Sequence, residues 1–457
     1  MATARTLFFL GIVFISCSLI GATPSFGDRR SLLIDGVSAP ETAPTTTPTT
    51  TPATATATAT APATTPAMTP PTAPATTEAT TIFDVKTFGA VADDKTDNVL
   101  ALRAAWMAAC KNSTKPATLL IPQGTFRTGQ TLFAGPCTSP KPITVEVIGT
   151  LTATSDLSEY YSPEWINFLS VDELVLKGSG VFDGKGAASW PYNDCKKTGE
   201  KCAPLPSNLK FDKVNNSIVK DITSLNSKEF HFHLHGCSNI SFNNLTITAP
   251  GNSPNTDGMH ISSSDLINVT NSVIGTGDDC ISIGHSTSNI SISSITCGPG
   301  HGISVGSLGK RPEERTVDGV HVKNCTFTNT TNGARIKTFL GTVPAEAKNI
   351  IYEDLIMNGA QNPIIIDQSY GGKKKPRVAS TSVWKISNVH FRRIRGTSSS
   401  NIPVSLQCSS TNPCEAVEVA DIDLAYVGLP KNTTFLSLCS NAKATFGGKL
   451  NPPACQL

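Results

Sequence analysis

Apolar residues along the second half of this chain fall into a nine-residue figure, x-Φ-x-Φ-x-x-Φ-x-Φ with Φ apolar, that returns many times. It reads NISFNNLTI from Asn239, LINVTNSVI from Leu266, NISISSITC from Asn289 and GVHVKNCTF from Gly319. It continues as NIIYEDLIM from Asn349, VWKISNVHF from Val383 and AVEVADIDL from Ala416, with SIVKDITSL from Ser217 at the head of the series. Alternation with period two marks strands. Its return every few tens of residues marks a stacked array, in which each unit buries its apolar face against its neighbours. The starts are unequally spaced, closer together at Asn239, Leu266 and Asn289 than from Gly319 to Ala416, which leaves room for loops of different length. A β-sandwich also spaces its strands evenly, but eight copies of one phase pattern predict an all-β solenoid, a parallel β-helix. Ile, Val and Leu would point inward, with Asn, Ser, Thr and Lys outside.

The pattern also predicts how the array ends. FDVKTFGA reads as a strand opening the ordered region near Ile82, and Asp97 stands where it can cap a helix carrying Leu100, Leu102 and Trp106. A solenoid exposes its apolar interior at each end, and this helix suits a cap. Everything before it reads differently. Residues 1–22 have the form of a signal peptide, with Arg5, an apolar run from Leu7 to Ile20, then Gly21 and Ala22. Residues 23–81 hold an Ala/Thr/Pro tract with too little apolar surface to offset chain entropy, so a disordered stalk is expected, O-glycosylated or bare. Residues 82–457 then form one β-helix domain, soluble once the signal is removed and with no membrane association.

Export changes how the cysteines read. Of thirteen, Cys17 lies in the signal segment, and the remaining twelve default to disulfides. Close spacing suggests Cys280 with Cys297, Cys408 with Cys414, Cys439 with Cys455 and Cys195 with Cys202, while Cys110 and Cys137 would tie the helix to the first coils. Nine Asn-x-Ser/Thr sequons, at Asn112, Asn215, Asn239, Asn244, Asn268, Asn289, Asn324, Asn329 and Asn432, fit a glycoprotein. A net charge of +2 is too small for a general polyanion or nucleic-acid binder, so attraction to an acidic ligand must be local. The Lys373-Lys374-Lys375 run with Arg377 is one candidate, against the simpler reading of a solvated loop.

Four strings carry the candidate chemistry: Asn255-Thr256-Asp257, Gly277-Asp278-Asp279, Gly300-His301-Gly302 and Arg335-Ile336-Lys337. The step from Asp257 to Asp278 and the slightly longer one from Asp278 to His301 are each close to one coil. Adjacent rungs lie about 4.8 Å apart. Three carboxylates, an imidazole, a guanidinium and an ammonium would then share one outer patch. Taken alone, Gly-Asp-Asp is a turn and Gly-His-Gly a tight corner; the spacing is what promotes them. Two adjacent carboxylates would face opposite sides of a strand, so one must sit at a bend that Gly277 permits. Close like charges push one carboxyl up, as a general acid requires. Arg335 and Lys337 flank Ile336 and would project together, suited to a sugar carboxylate.

Two motifs are discounted. Gly178-Ser179-Gly180 followed by Gly184 lacks the spacing and the helix of a dinucleotide loop and reads as a strand bend. His231, His233 and His235 alternate as zinc ligands can, but no ligand from a third element stands nearby, so no metal is assigned. His235 precedes Asp257 by one coil, a rung below the site, which makes His233 and His235 a possible substrate subsite or a plain solvated face.

The segments SPNTDG, GTGDDCISIG, CGPGHGISVGSLG and NGARIKT together resemble the four signature segments of plant polygalacturonases, and the likeness runs from about Phe83 to the carboxyl terminus. SIVKDITSLNSKEFHFHLHGC further resembles the pollen-type, exo-acting branch. That resemblance implies a right-handed parallel β-helix and inverting hydrolysis of α-1,4-linked galacturonan, the substrate being pectin in the cell wall, by a secreted monomer without cofactor. It implies Asp278 as general acid, Asp257 and Asp279 holding the water, His301 tuning the acid, Arg335, Lys337 and Asn255 binding substrate, and Tyr370 lining the cleavage subsite. One departure stands out: Gly371-Gly372-Lys373 follows Tyr370 where the family commonly has cysteine. The rival readings are an endo-acting enzyme with both groove ends open, a Ca²⁺-dependent pectate lyase, and a non-catalytic wall-binding β-helix.

Overall fold

The computed structural model describes residues 80–193, 204–341, 343–371 and 382–456. The signal segment, most of the Ala/Thr/Pro stretch, the Lys373–Lys375 run and the Cys195/Cys202 pair lie outside the described residues. The chain winds as a right-handed parallel β-helix. Every paired strand is parallel, in two sheets of 19 and 11 strands. The nine-residue figure belongs to the larger sheet: Asn239–Thr248, Asp265–Gly275 and Thr287–Cys297 lie rung on rung, with Ile240 over Ile267 over Ile290.

The figure has a structural meaning that its apolar positions alone do not carry. Its first and sixth residues turn the corners, in the left-handed conformation. Asn216, Asn239, Leu266, Asn289, Asn349, Asn388 and Ala416 take the first position at φ between 50° and 57°; Asp221, Asn244, Asn271, Ser294, Asn324, Asp354, Arg393 and Asp421 take the sixth at 50° to 58°. Asparagine tolerates this region better than most residues, and its amide can bond the rung below. Asn239 donates to Asn216 at 2.8 Å, Asn244 to Asp221 at 2.8 Å, Asn289 to Asp265 at 2.8 Å and Asn324 to Ser294 at 3.2 Å. Several sequon asparagines are therefore corner residues.

Register corrects three copies. Ser217 pairs with Ile240, so the first copy begins at Asn216; Ile218 is 45% exposed while Ser217 and Ser224 are buried. Ile350 pairs with Val389, so the seventh copy begins at Asn388 and not at Val383. In LINVTNSVI the inward seventh residue is Ser272, and Val273 faces solvent. A serine can stand inside because it is bonded: Ser272 Oγ accepts from Leu245 N–H at 3.1 Å and donates to the Thr270 carbonyl at 2.8 Å. Burying a hydroxyl costs little once it is paired.

Inside, like residues stack between rungs. Phe168, Phe211 and Phe232 form a column with ring centroids 5.4 and 6.3 Å apart, and Tyr352 stacks on Phe391 at 5.6 Å. Each inward Ile, Leu or Val contributes about 1.5–3 kcal/mol by burial, and a one-residue slip would turn them all to water. The cap is the helix Val99–Met107, which buries Leu102, Ala105 and Trp106. Leu100, expected on that face, is exposed, because two residues from Leu102 is more than half a turn away. Asn98 is the N-cap residue, and Asp97 joins the helix to the first coil by accepting from Val99 N–H at 3.2 Å and Gly129 N–H at 3.0 Å. The opening strand spans only Thr81–Asp84; Asp84 then caps a 3-10 turn, Val85–Phe88.

Cys110–Cys137, Cys280–Cys297, Cys408–Cys414 and Cys439–Cys455 are disulfides as their spacing suggests. Cys237 and Cys325 are not: both are buried free thiols, serving as small apolar residues, and burial pushes them up to about 11 and about 12. Among the described residues no helix is long and apolar enough to cross a membrane.

Candidate active site

The chemistry sits on the 11-stranded sheet, whose strands here are short: Phe232–His235, Met259–Ser262, Ile281–Ile283 and Ile303–Leu308, followed by Asn332–Phe339. Phe232, Met259, Ile281, Ile303 and Ala334 stand in one column. From Met259 to Ile281 to Ile303 the two rungs across the site are equal in length. Two residues earlier, the same register aligns Phe230, Asp257, Asp279 and His301. Backbone bonds hold that alignment, from His231 N–H to the Asp257 carbonyl at 2.8 Å and from Gly258 N–H to the Asp279 carbonyl at 2.9 Å. The unequal sequence steps around Asp278 straddle the true rung, so Asp257 lies beneath Asp279, with Asp278 beside the column.

Asp278 and Asp279 occupy the bend before Ile281. A Cβ on Gly277 would sit 2.0 Å from the Ser253 carbonyl oxygen, so only glycine lets the chain pass here. The bend gathers both acids toward one side, and Asp279 N–H donates to Asp278 Oδ1 at 2.9 Å. Asp279 is 1% exposed. Its Oδ1 accepts from the Arg335 guanidinium and from Ser304 Oγ at 3.0 Å, and its Oδ2 from Lys337 Nζ at 2.8 Å. Arg335 and Lys337 do share a face with Ile336 turned inward, yet they are only 9% and 6% exposed and both are engaged with Asp279. A carboxylate so deeply buried requires such partners. Two cations thus meet one anion at this corner, with Asp278 acting on Arg335 and Asp257 on Lys337 as well.

Asp278 is the accessible acid, its side chain 18% exposed, and Oδ1 lies 2.9 Å from His301 Nδ1. Asp257 is buried, and its carboxyl is held well above the usual carboxylate range: burial raises it first, then the charges of Asp278 and Asp279, against a smaller opposing pull from Ser282 and Lys337. The site thus favours keeping a proton among its carboxylates. Asp278, Asp279 and His301 bring donor atoms within 4.8 Å of one another, a spacing a cation could use, but both Asp279 oxygens already face cationic side chains. Tyr370 reaches the site, with Lys337 Nζ 5.2 Å from its ring centroid and Phe339 packed at 5.2 Å. Asn255 donates to Asn193 Oδ1 at 3.2 Å.

Below the carboxylates the three histidines separate. His231 is fully buried on Ser224, at 2.8 Å, and does not lie on the outer face. His233 packs 5.4 Å from Phe230, and His235 is exposed near Ser262. Sequence reasoning missed His260, Phe230, Ser282 and Ser304. His260 Nδ1 lies 2.7 Å from Ser282 Oγ, and its ring stacks on Phe230 at 4.7 Å. Burial foremost pushes His233 down to about 2 and His260 to about 4, so both are neutral. Their available signal was polar alternation in DGMHIS, DDCISI and HGISV, in strands too short to carry the nine-residue figure. A concavity of about 850 Å³ lies away from the site, near the cap, lined by residues such as Arg103, Gln130 and Tyr161.

Comparison with known proteins identifies the family and the fold. The family described as Glycosyl hydrolases family 28 matches residues 110–447. An exopolygalacturonase from Arabidopsis thaliana (clone GBGE184) is 44% identical, covering 82% of this chain and 88% of its own. An exopolygalacturonase from Oenothera organensis is 45% identical over 79% of this chain and 98% of its own. Among solved structures, an exopolygalacturonase from Thermotoga maritima superposes with TM-score 0.65 at 17% identity, covering 80% of this chain and 90% of that one. An endo-xylogalacturonan hydrolase from Aspergillus tubingensis does so with TM-score 0.67 at 22% identity, covering 81% and 100%. At these identities the two structures speak for the fold.

Proposed function

Since this chain belongs to the glycosyl hydrolases of family 28, we propose that it is an exopolygalacturonase, cleaving α-1,4-galacturonosyl bonds from the non-reducing end of polygalacturonan. The observation that carries this reading is the cluster itself: Asp257, Asp278 and Asp279 on adjoining rungs, with His301 on one acid and Arg335 and Lys337 on another. Asp278, the most open of the three, protonates the glycosidic oxygen. His301 at its Oδ1 steadies the carboxyl and shares its proton. Asp257 and Asp279, one above the other, hold the attacking water on the opposite face of the sugar, which gives inversion. Arg335 and Lys337 receive the galacturonate carboxylate without releasing Asp279. Tyr370, resting over Lys337, lines the cleavage subsite, and Asn255 positions the sugar beside Asp257. His233 lies among the groups one rung below, as a subsite residue would.

The exo mode draws on the two relatives of that name. Secretion to the cell wall follows from the apolar leader and the substrate, and the chain acts as a monomer. A time course on polygalacturonate that records viscosity and product size together tests the proposal. Galacturonate accumulating while viscosity stays high is the expected result. Rapid thinning with mixed oligomers would overturn the exo reading and leave an endo-enzyme.

A further inference from the structure

Lys228 is the least expected buried residue in the molecule. It is 1% exposed, and no ion pair among the described residues includes it. Its ammonium donates to the Gly184 carbonyl oxygen and to Tyr160 Oη at 3.2 Å, and lies 5.1 Å from the Tyr160 ring centroid. Burial pushes it down to about 7, as desolvation of an ammonium requires. Nothing in the hydrolytic chemistry uses it.

What it touches explains the position. Tyr160, Gly184 and Lys228 belong to three separate connections, and further bonds join them. Trp190 Nε1 donates to the Ser227 carbonyl at 3.0 Å and Gly186 N–H to the Asn226 carbonyl at 2.7 Å, while Tyr160 Oη is held by the Thr154 carbonyl of its own connection at 3.0 Å. A Cβ on Gly186 would stand 2.3 Å from the Ser227 carbonyl oxygen, so the two loops meet backbone to backbone. From this bundle two parts reach the catalytic rung. Asn193 accepts from Asn255, two residues before Asp257. Phe230, aligned directly below Asp257, lays its ring over the outward-facing His260 at 4.7 Å and 19°. Below Phe230 the same column continues as Ser207 and Glu164, in register with each other and both buried. On the other side of the acids lie His301, Arg335 and Tyr370.

We propose that Lys228 is the positioning residue of a wall that closes the groove on its amino-terminal side, and that Phe230 is the face of that wall against which the terminal galacturonate is seated. In this arrangement the leaving group and the rest of the polymer extend up the solenoid, past His301, Arg335 and Tyr370. The glycone, the single sugar to be released, lies toward Asp257 and Phe230. An aromatic ring suits the apolar face of a pyranose. A buried cation between three loops orients them through donors that a neutral stem cannot supply.

This rests on the exo reading, and the wild-type time course checks that reading first: mixed oligomers from the unaltered enzyme would remove it and this proposal together. With monomer as the wild-type product, Lys228→Met should raise the fall in viscosity per new reducing end at least tenfold, with di- and trigalacturonate among the first products. Lys228→Arg, which keeps charge and donors, should restore monomer release. Phe230→Ala, which needs no buried charge to fold, should raise KM for digalacturonate about tenfold with kcat within about threefold. If Lys228→Met merely lowers the yield of folded protein and still releases monomer alone, and Phe230→Ala leaves KM unchanged, the proposal is wrong.

Discussion

Two carboxylates of one site should respond oppositely when their charge is removed. Asp279 is fully buried with Arg335, Lys337 and Ser304 on its oxygens. Asp279→Asn keeps the shape and strands two buried cations. Breaking a buried pair by deleting one partner costs about 3–5 kcal/mol, and here two pairs share the anion, so the upper half of that range is expected. Asp257 is buried among like charges, and its carboxyl titrates well above the usual range. A folded-state pKa raised this way gives stability that is full below the unfolded value of about 3.9 and lost as pH rises through the folded one. Asp257→Asn should therefore gain about 0.5–2 kcal/mol at pH 7, as relief of active-site strain commonly does, and that gain should vanish in acid. Urea unfolding of both variants and the wild type at pH 7 and pH 4, followed by tryptophan fluorescence, reads both. A loss under about 1 kcal/mol for Asp279→Asn, the value of an exposed pair, would refute the ion-pair account. Destabilisation by Asp257→Asn at pH 7 would refute the repulsion account.

Asp278→Asn should lower kcat by roughly 10²–10⁴ while KM for polygalacturonate stays within a few-fold, because only the proton donor is lost; an aryl galacturonide whose leaving group needs no proton should suffer far less, and equal losses on both substrates would remove Asp278 as acid. First-formed galacturonate should be the β-anomer by proton NMR, without unsaturated ends and at a rate untouched by chelator; α-anomer would exclude inversion, and Ca²⁺-rescuable loss would favour a lyase. Glycan mapping of protein from a eukaryotic secretory host should find the exposed Asn112 and Asn432 occupied, and Asn239, Asn244, Asn289 and Asn324 empty, because their amides bond the rung below; full occupancy at Asn239 would contradict the ladder.

The larger sheet was legible because its strands are long enough to show alternation and its corners fall at fixed places. The smaller sheet was less so: Ile281–Ile283 has three residues, too few for a period. The carboxylates and His301 were found through their motifs and near-coil spacing, but their vertical order was not, since a bend at Gly277 displaces Asp278 from the column. The fate of Arg335 and Lys337 could not be read either. Alternation placed them on the outer face, while their burial depends on Asp279, 56 and 58 residues away. The phase errors at Ser217 and Val383 share one cause: where a serine or a second apolar pair fits the interior, hydrophobicity no longer marks the corner, and the left-handed residue does.

The corners also divide the molecule into parts that can drift and parts that cannot. Successive first corners from Asn289 onward are separated by stretches as long as the one from Asn349 to Asn388, yet rung still meets rung, because all extra length is taken up after the strands have paired. Across Met259, Ile281 and Ile303 the two coils match in length. A gene for such a chain can gain or lose codons in its loops, and so acquire new walls and new substrate preferences, without disturbing the acids. A single codon lost between Met259 and Ile303 would move Asp278 and Asp279, or His301, off the rung. Descent with altered specificity is therefore open to this architecture at its rims and closed at two adjacent coils.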